Sequence, residues 1–282
     1  MLNNSKEIIK QMLVGSFFGR KCFSLRDKYT LFHGSIYTPH VIGTLANDQL
    51  AFRLVTSICK PNATFVDVGA HIGSIIAMVS FNLPSVKISA IEAIPEKIEN
   101  LKRKFPLVEL HSCAVGETTG QTTFYVNSTN PGYSTLGIPE KNNPDSINAI
   151  NVNIKRLDDI INATDVDVIK IDVEGAELGV LRGAVKLIEQ CRPTIMFESG
   201  PIVSSNLLYT KEDIYKFFEQ INYSLVLPNR LAFCSTGLSL EAFLDSHIFP
   251  RLSTNFFAVP VERADEIMAV AYKKLQPLTY IA

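Results

Sequence analysis

Apolar positions along the chain repeat with two different periods. Ile8, Ile9, Met12, Leu13 and Phe17 recur at helical spacing and predict an amphipathic helix over Ser5–Phe18, able to dock on a core or on a membrane or partner surface. From Gly19 to Gly43 aromatic, β-branched and turn-forming residues mix without a period, and no element is assigned there. Leu50, Phe52, Leu54, Val55 and Ile58 restore a helical pattern over Asp48–Lys60, stopped by Pro61.

Beyond this point short apolar runs alternate with helical stretches. Strands are predicted at Thr64–Val68, Lys87–Ile91, Val108–Val115, Val166–Ile171 and Thr194–Phe197, with helices at Ser74–Phe81, Pro95–Phe105 and Ala176–Gln190. Continuously apolar strands joined by helices imply a parallel sheet covered on both faces, a doubly wound α/β fold. The tail adds a helix at Lys211–Gln220 and strands near Tyr223–Leu227 and Asn255–Val259, expected to close the sheet with an antiparallel edge. Gly116–Arg156, rich in Thr, Asn, Gly and Pro, holds one strand-like run (Gln121–Val126) and reads as an inserted hairpin and long loop overhanging the site. The expected organisation is an N-terminal helical extension over residues 1–60 packed on a single domain over 61–282, with edge strands within 223–260.

Composition removes several function classes. The 282 residues are 46% hydrophobic, and Lys+Arg and Asp+Glu give 27 − 28 = −1, so no global field favours nucleic acid. Cys22, Cys59, Cys113, Cys191 and Cys234 are scattered without a C-x-x-C pair, which speaks for a reducing, cytoplasmic setting and against a zinc knuckle or disulfide framework. The longest uncharged stretch, from Val68 up to but not including Lys87, is broken by Gly69, His71, Gly73 and Pro84, so no transmembrane segment is expected. His33, His40, His111 and His247 lack ligand spacing, and no metal site is expected.

Candidate chemistry gathers at strand ends. In Val66-Asp67-Val68-Gly69-Ala70-His71-Ile72-Gly73 a strand runs into a glycine turn and a helix start, whose unpaired N–H groups favour a polar ligand. The glycines stand four apart and no third follows, unlike the dinucleotide fingerprint. Glu92 ends the next strand, where doubly wound folds put an acceptor for ribose hydroxyls. Asp67 either orients the glycine loop or faces a ligand's ammonium, and His71 either meets the ligand or merely caps the helix. Strand Val168–Ile171 ends in Asp172-Val173-Glu174-Gly175, and alternation puts Lys170 on the side of Asp172. Glu174 and Glu177 also suit a helix N-terminus, and Glu198 ends the adjacent strand.

These blocks, with Cys113-Ala114-Val115-Gly116, Leu157-Asp158-Asp159, Ile169-Lys170-Ile171-Asp172-Val173-Glu174-Gly175-Ala176-Glu177, Leu181-Arg182-Gly183-Ala184 and the closing Asn255-Phe256-Phe257-Ala258-Val259-Pro260, resemble the FkbM-type methyltransferases from about Phe65 to Glu198. The resemblance implies a class I, Rossmann-like, seven-stranded sheet and O-methylation from S-adenosylmethionine, leaving S-adenosylhomocysteine (an EC 2.1.1 type of enzyme). It also implies a cofactor site of Asp67, Gly69, Ala70, His71, Gly73, Glu92, Ala93, Ala114 and Asp172. Two positions depart from the pattern: His71 where Asn is common and Ala93 where Pro is. Ser134-Thr135-Leu136, with Tyr133, resembles the family's loop over the cofactor.

Methyl transfer is a direct displacement that needs alignment and, for an aliphatic or sugar hydroxyl, a base. Asp172 is the first candidate for that base and Glu174 the second. Lys170 would pair with a carboxylate, hold the acceptor or act as base if desolvated. The acceptor is expected to be a small molecule or glycan; its identity and the oligomeric state are not encoded in the spacing. A non-catalytic cofactor-binding or scaffold module on the same fold, or an NAD-linked oxidoreductase, are the alternatives.

Overall fold

The computed structural model describes residues 10, 12–127, 134–136, 147–200, 209–233 and 236–275. Gly15 turns the chain with φ of 87°, and Ser16 caps α1 (Phe17–Tyr37) by accepting from the Gly19 N–H at 2.9 Å. Of the expected helix over Ser5–Phe18, residues 5–9 and 11 lie outside the described residues; the helix ends at Leu13, before the turn at Gly15, and Phe17 and Phe18 open the next helix instead. The unassigned stretch from Gly19 to Gly43 is therefore mostly helix. Its period was masked because α1 is apolar on two faces, one turned to the protein and one exposed. α2 (Ile42–Val55), starting before Asp48 and ending before Lys60, buries Ala51, Leu54 and Val55. Asp48 Oδ1 accepts from the Thr254 N–H at 2.9 Å and the Asn255 N–H at 3.2 Å, tying α2 to the last strand.

The alternation that follows is as expected, in order β1 (Thr64–Val68), α3 (Ser74–Asn82), β2 (Lys87–Glu92), α4 (Pro95–Lys104) and β3 (Glu109–Ser112). Next come β4 (Ala114–Val115), β5 (Gly120–Asn127), β6 (Ile147–Lys155), α5 (Leu157–Ile160), β7 (Val166–Ile171), α6 (Glu177–Arg182), α7 (Val185–Cys191) and β8 (Thr194–Glu198). The tail is α8 (Lys211–Gln220), β9 (Tyr223–Val226), α9 (Leu240–Asp245), β10 (Asn255–Pro260) and α10 (Ala264–Leu275). The main sheet has seven strands in the order β3-β2-β1-β7-β8-β10-β9. β10 is antiparallel to β8 and to β9, while β3, β2, β1, β7 and β8 run parallel, which is the class I methyltransferase arrangement. Adjacent residues serve opposite layers: Val66, Phe197 and Phe256 pack in one hydrophobic cluster, while Phe65, Met196 and Phe257 pack in the other. Among the described residues no helix is long and apolar enough to cross a membrane.

The predicted third strand is split. Ser112 ends β3, and Ala114–Val115 leave the main sheet to pair with β6 in a second sheet of order β4-β6-β5. The insert is likewise more regular than one strand-like run suggests, since β5 and β6 pair in antiparallel register from Gly120↔Ile154 to Asn127↔Ile147. Ile150, Val152 and Ile154 alternate with asparagines, a period-two signal hidden among Asn-rich sequence.

The predicted helix Ala176–Gln190 is two helices broken at Gly183-Ala184. A Cβ on Gly183 would stand 2.1 Å from the Gly116 carbonyl oxygen, so this site admits only glycine although its backbone is ordinary. The Gly183 carbonyl accepts from the Asp158 N–H at 2.9 Å, and Asp158 Oδ1 accepts from Leu187 N–H at 2.9 Å, capping the start of α7. Three of the sequence blocks thus form a structural latch under the second sheet.

Gly183→Ala is expected to cost about 2 kcal/mol or more in urea unfolding, because backbone must give way. Gly43→Ala, with nothing within 4 Å of its Cβ inside α2, is expected to be neutral or to stabilise by about 0.5–1 kcal/mol.

Candidate active site

Chain order reverses between β1 and β7, and ligands of open α/β sheets bind at the carboxyl ends beside such a point. Gly69, just past β1, has φ of 81°, and a Cβ there would come within 1.9 Å of the Asp172 carbonyl oxygen. The N–H groups of Gly69 and Ala70 both donate to the Ile91 carbonyl at 3.0 Å. The turn is thereby clamped between β2 and β7. Gly73 also has a positive φ, of 84°, but the space beside it belongs to Leu101 and Phe105 rather than to the crevice.

Glu92 spans the turn from the end of β2. Its Oε2 accepts from the His71 N–H and its Oε1 from the Ile94 N–H, both at 2.9 Å. Each oxygen keeps a further lone pair for a ligand. His71 is held in the left-handed region, φ 51°, and its Nε2 is buried without a hydrogen-bond partner among the described residues. Burial, with help from Lys97, lowers its pKa to about 4, so the ring is neutral near pH 7.

A buried charge cluster lies behind the turn. Lys170 Nζ sits 3.1 Å from Asp67 Oδ1 and 3.3 Å from Asp172 Oδ2 and donates to the Gly69 carbonyl at 2.9 Å. One hydrogen bond and two ion pairs thus surround the ammonium. Burial alone would lower the Lys170 pKa, but Asp172 and Asp67 outweigh it and raise it, so Lys170 keeps its proton. Asp67 is fully buried and faces Lys170 rather than the crevice.

Carboxyls crowd the other side. Oxygens of Asp172, Glu174 and Glu198 lie within 4.8 Å of one another, a spacing also suited to a hard cation. Three like charges this close cannot all ionise without compensation. Burial and the neighbouring Asp172 push Glu198 up to about 10, and its carboxyl hydrogen-bonds Asp172. Burial opposes ionisation of Asp172 as well, but Lys170 and that hydrogen bond hold its pKa below the ordinary value. Burial, then Asp172, raises Glu174 to about 8.

Glu174 also carries backbone strain, with φ of 52°. Thr135 Oγ1 donates to its carbonyl at 2.9 Å, the Tyr209 hydroxyl donates to the Gly175 carbonyl, and Glu177 Oε1 accepts from the Gly175 N–H at 3.0 Å. The second sheet and the start of α6 therefore hold the acid loop in this shape.

A cleft of about 190 Å³ joins these parts. Of the residues expected at a cofactor, Gly69, His71, Glu92, Ala93, Ala114 and Asp172 line it, and so do Glu174 and Glu198. Asp67, Ala70, Gly73 and Lys170 support it from behind. Ser134 and Leu136 line it as well, whereas Tyr133 lies outside the described residues. Sequence reading missed Phe124 of β5 and Lys97 in the first turn of α4. The alternation of Thr122, Phe124 and Val126 carried a signal for the former, and nothing in the spacing singles out the latter. Val68, Ile91, Cys113, Ala114 and Phe124 make part of the lining apolar, beside the acids.

The family model described as Methyltransferase FkbM domain matches residues 67–225. "Methyltransferase 1" of Beauveria bassiana (strain ARSEF 2860) is 31% identical over 149 residues, 44% of this chain and 59% of that protein. "Methyltransferase sdnD" of Sordaria araneosa is 30% identical over 159 residues, 43% of this chain and 60% of that protein. The matches thus span about three fifths of the curated relatives' length. Among solved structures, the methyltransferase FkbM from Methylobacillus flagellatus KT is 20% identical, with a TM-score of 0.43, over 70% of this chain and 43% of its own.

Glu198 has a folded-state pKa far above its unfolded value near 4.5, so it favours the fold at low pH and loses that contribution as pH climbs toward about 10. Glu198→Gln removes this part of the slope. Its melting temperatures at about pH 6 and about pH 9 are expected to lie closer together than those of the unsubstituted protein. Calorimetric melts at both pH values check this.

Proposed function

Because the chain belongs to the FkbM methyltransferase family, which uses S-adenosylmethionine, we propose that it methylates a hydroxyl group of a small molecule or glycan by direct displacement, with a crevice carboxylate as base. The observation that carries this reading is the pairing, across one cleft, of an anchored acceptor, Glu92, with a carboxyl of near-neutral pKa, Glu174.

The residues suit the donor in their chemistry. Glu92 offers its remaining lone pairs to a ribose diol, the unpartnered Nε2 of His71 offers one polar contact beside the glycine turn, and Cys113, Ala114 and Phe124 offer an apolar bed for a flat base. When bound, S-adenosylmethionine supplies an electrophilic sulfonium methyl.

The acids divide the remaining work. Asp172, clamped by Lys170 and by Glu198, is a fixed anion that attracts positive charge and orients an acceptor hydroxyl. Glu174, with no such clamp at its carboxyl among the described residues and with a pKa raised to about 8, takes the hydroxyl proton as the new C–O bond forms and the C–S bond breaks. Glu198 keeps its proton and holds Asp172 in position. The uncrosslinked thiols of Cys22, Cys59, Cys113 and Cys191 support a cytoplasmic setting.

Titration calorimetry with S-adenosylhomocysteine is expected to show binding that weakens tenfold or more in Glu92→Gln, with melting unchanged by more than a few degrees. No binding by folded protein, or displacement by NAD, would overturn the reading. With methyl-labelled S-adenosylmethionine and panels of hydroxylated small molecules and glycans, Glu174→Gln is expected to cost about 10²–10⁴ in turnover. For the unsubstituted protein kcat/KM should rise with pH, pass half its plateau near pH 8 and level off above it, as Glu174 loses its proton. A flat profile removes Glu174 from the base role.

A further inference from the structure

Helix α1 presents an apolar stripe with no covering element among the described residues. Phe18, Leu25, Tyr29, Phe32 and Ile36 are 69%, 66%, 64%, 66% and 54% exposed. At about 100° per residue these five side chains share one face. The protein-facing side is the opposite one, where Gly19 and Gly34 are buried and Phe23 packs on the core. At Gly34 a Cβ would stand 3.0 Å from Leu45, so α1 sits close on α2 along that side and cannot roll to hide the stripe.

Charge says what fits this face. Within α1 the cations are Arg20, Lys21, Arg26 and Lys28, and the only acid is Asp27. Lys21 and Lys28 flank the stripe on one side; on the other Arg26, ion-paired with Asp27 at 2.7 Å, stands with His33. Arg20 is spent elsewhere, over the Phe81 ring. An exposed aromatic and aliphatic stripe bordered by lysines is the pattern of a helix lying in the headgroup layer, Lys21 and Lys28 reaching lipid phosphates. A second copy on this face would bring Lys21 and Lys28 against like charges.

Exposed apolar residues also stand just beyond the helix. Ile248 and Phe249 are exposed, Phe249 lies 5.7 Å from the His40 ring, and His247 Nε2 is 2.9 Å from the Ser199 hydroxyl, next to Glu198. This turn therefore stands beside the carboxyl end of β8, at the end of the sheet that holds the acidic crevice.

We infer that α1 and the Ile248-Phe249 turn form a docking surface for a membrane rich in anionic phospholipid. The inference is independent of the methyl-transfer reading. Co-sedimentation with phosphatidylcholine vesicles, with and without about 30% phosphatidylglycerol, tests it. Binding to the anionic vesicles is expected to exceed that to neutral ones at least tenfold and to fall with added salt. Leu25→Glu/Phe32→Glu should abolish it and Lys21→Glu/Lys28→Glu weaken it about tenfold. Leu107→Glu, at a residue 97% exposed outside this patch, should leave it intact. S-adenosylhomocysteine affinity and melting should be unchanged in all three variants, which separates this result from any failure of the cofactor site. No binding to anionic vesicles overturns the inference. So does an equal loss in Leu107→Glu, or a dimer in light scattering that Leu25→Glu/Phe32→Glu dissolves while vesicle binding is absent.

Discussion

One buried ammonium organises the catalytic end of this protein. Lys170 reaches Asp67 on β1, Asp172 beyond β7 and the carbonyl of Gly69 on the turn, so a single cation joins the two central strands to the loop between them. Each charge would be costly to bury alone. Together they fix the position of Asp172, and through its hydrogen bond Asp172 fixes Glu198. The side-chain alternation of adjacent parallel strands makes this possible, because Asp67 and Lys170 are directly paired in register.

From that anchor the acids acquire different characters. Asp172 stays ionised beside its cation, Glu198 keeps a proton because burial and the Asp172 charge disfavour its anion, and Glu174 falls between them. Four nearby carboxyls, counting Glu177, thereby do different things without differing much in chemistry. Backbone strain appears at two cleft residues other than glycine, His71 and Glu174. Each is over-determined by its surroundings: His71 by Glu92, and the Glu174 loop by Thr135, Tyr209 and Glu177. Such strain persists only where the frame insists on it.

Sequence blocks that look alike as motifs divide by physical role. Gly69, Glu92 and Asp172-Val173-Glu174 face or shape the crevice. Gly116, Asp158 and Gly183 instead lock the second sheet to α7 through one close backbone approach and one helix cap. Gly73 belongs with these, since its lack of a side chain makes room for Leu101 and Phe105. A glycine in a binding-type pattern is thus as often a packing device as a ligand contact, and only the neighbouring atoms tell which.

The alternation of apolar runs and helical stretches by itself determined the doubly wound sheet, its parallel core and its antiparallel closing strand, because burial on both faces leaves a continuous apolar signature. The strand-end acids, and the adjacency of Lys170 to Asp172, were legible for the same local reason: strand alternation. What lay beyond local pattern was decided by tertiary structure. The course of α1 was hidden because its two apolar faces cancel the period, and the break at Gly183 depends on a carbonyl distant in sequence. Above all, the protonation of Glu198 and Glu174 and the confinement of Lys170 arise from burial and from charges on other strands, and these exist only once the chain has folded.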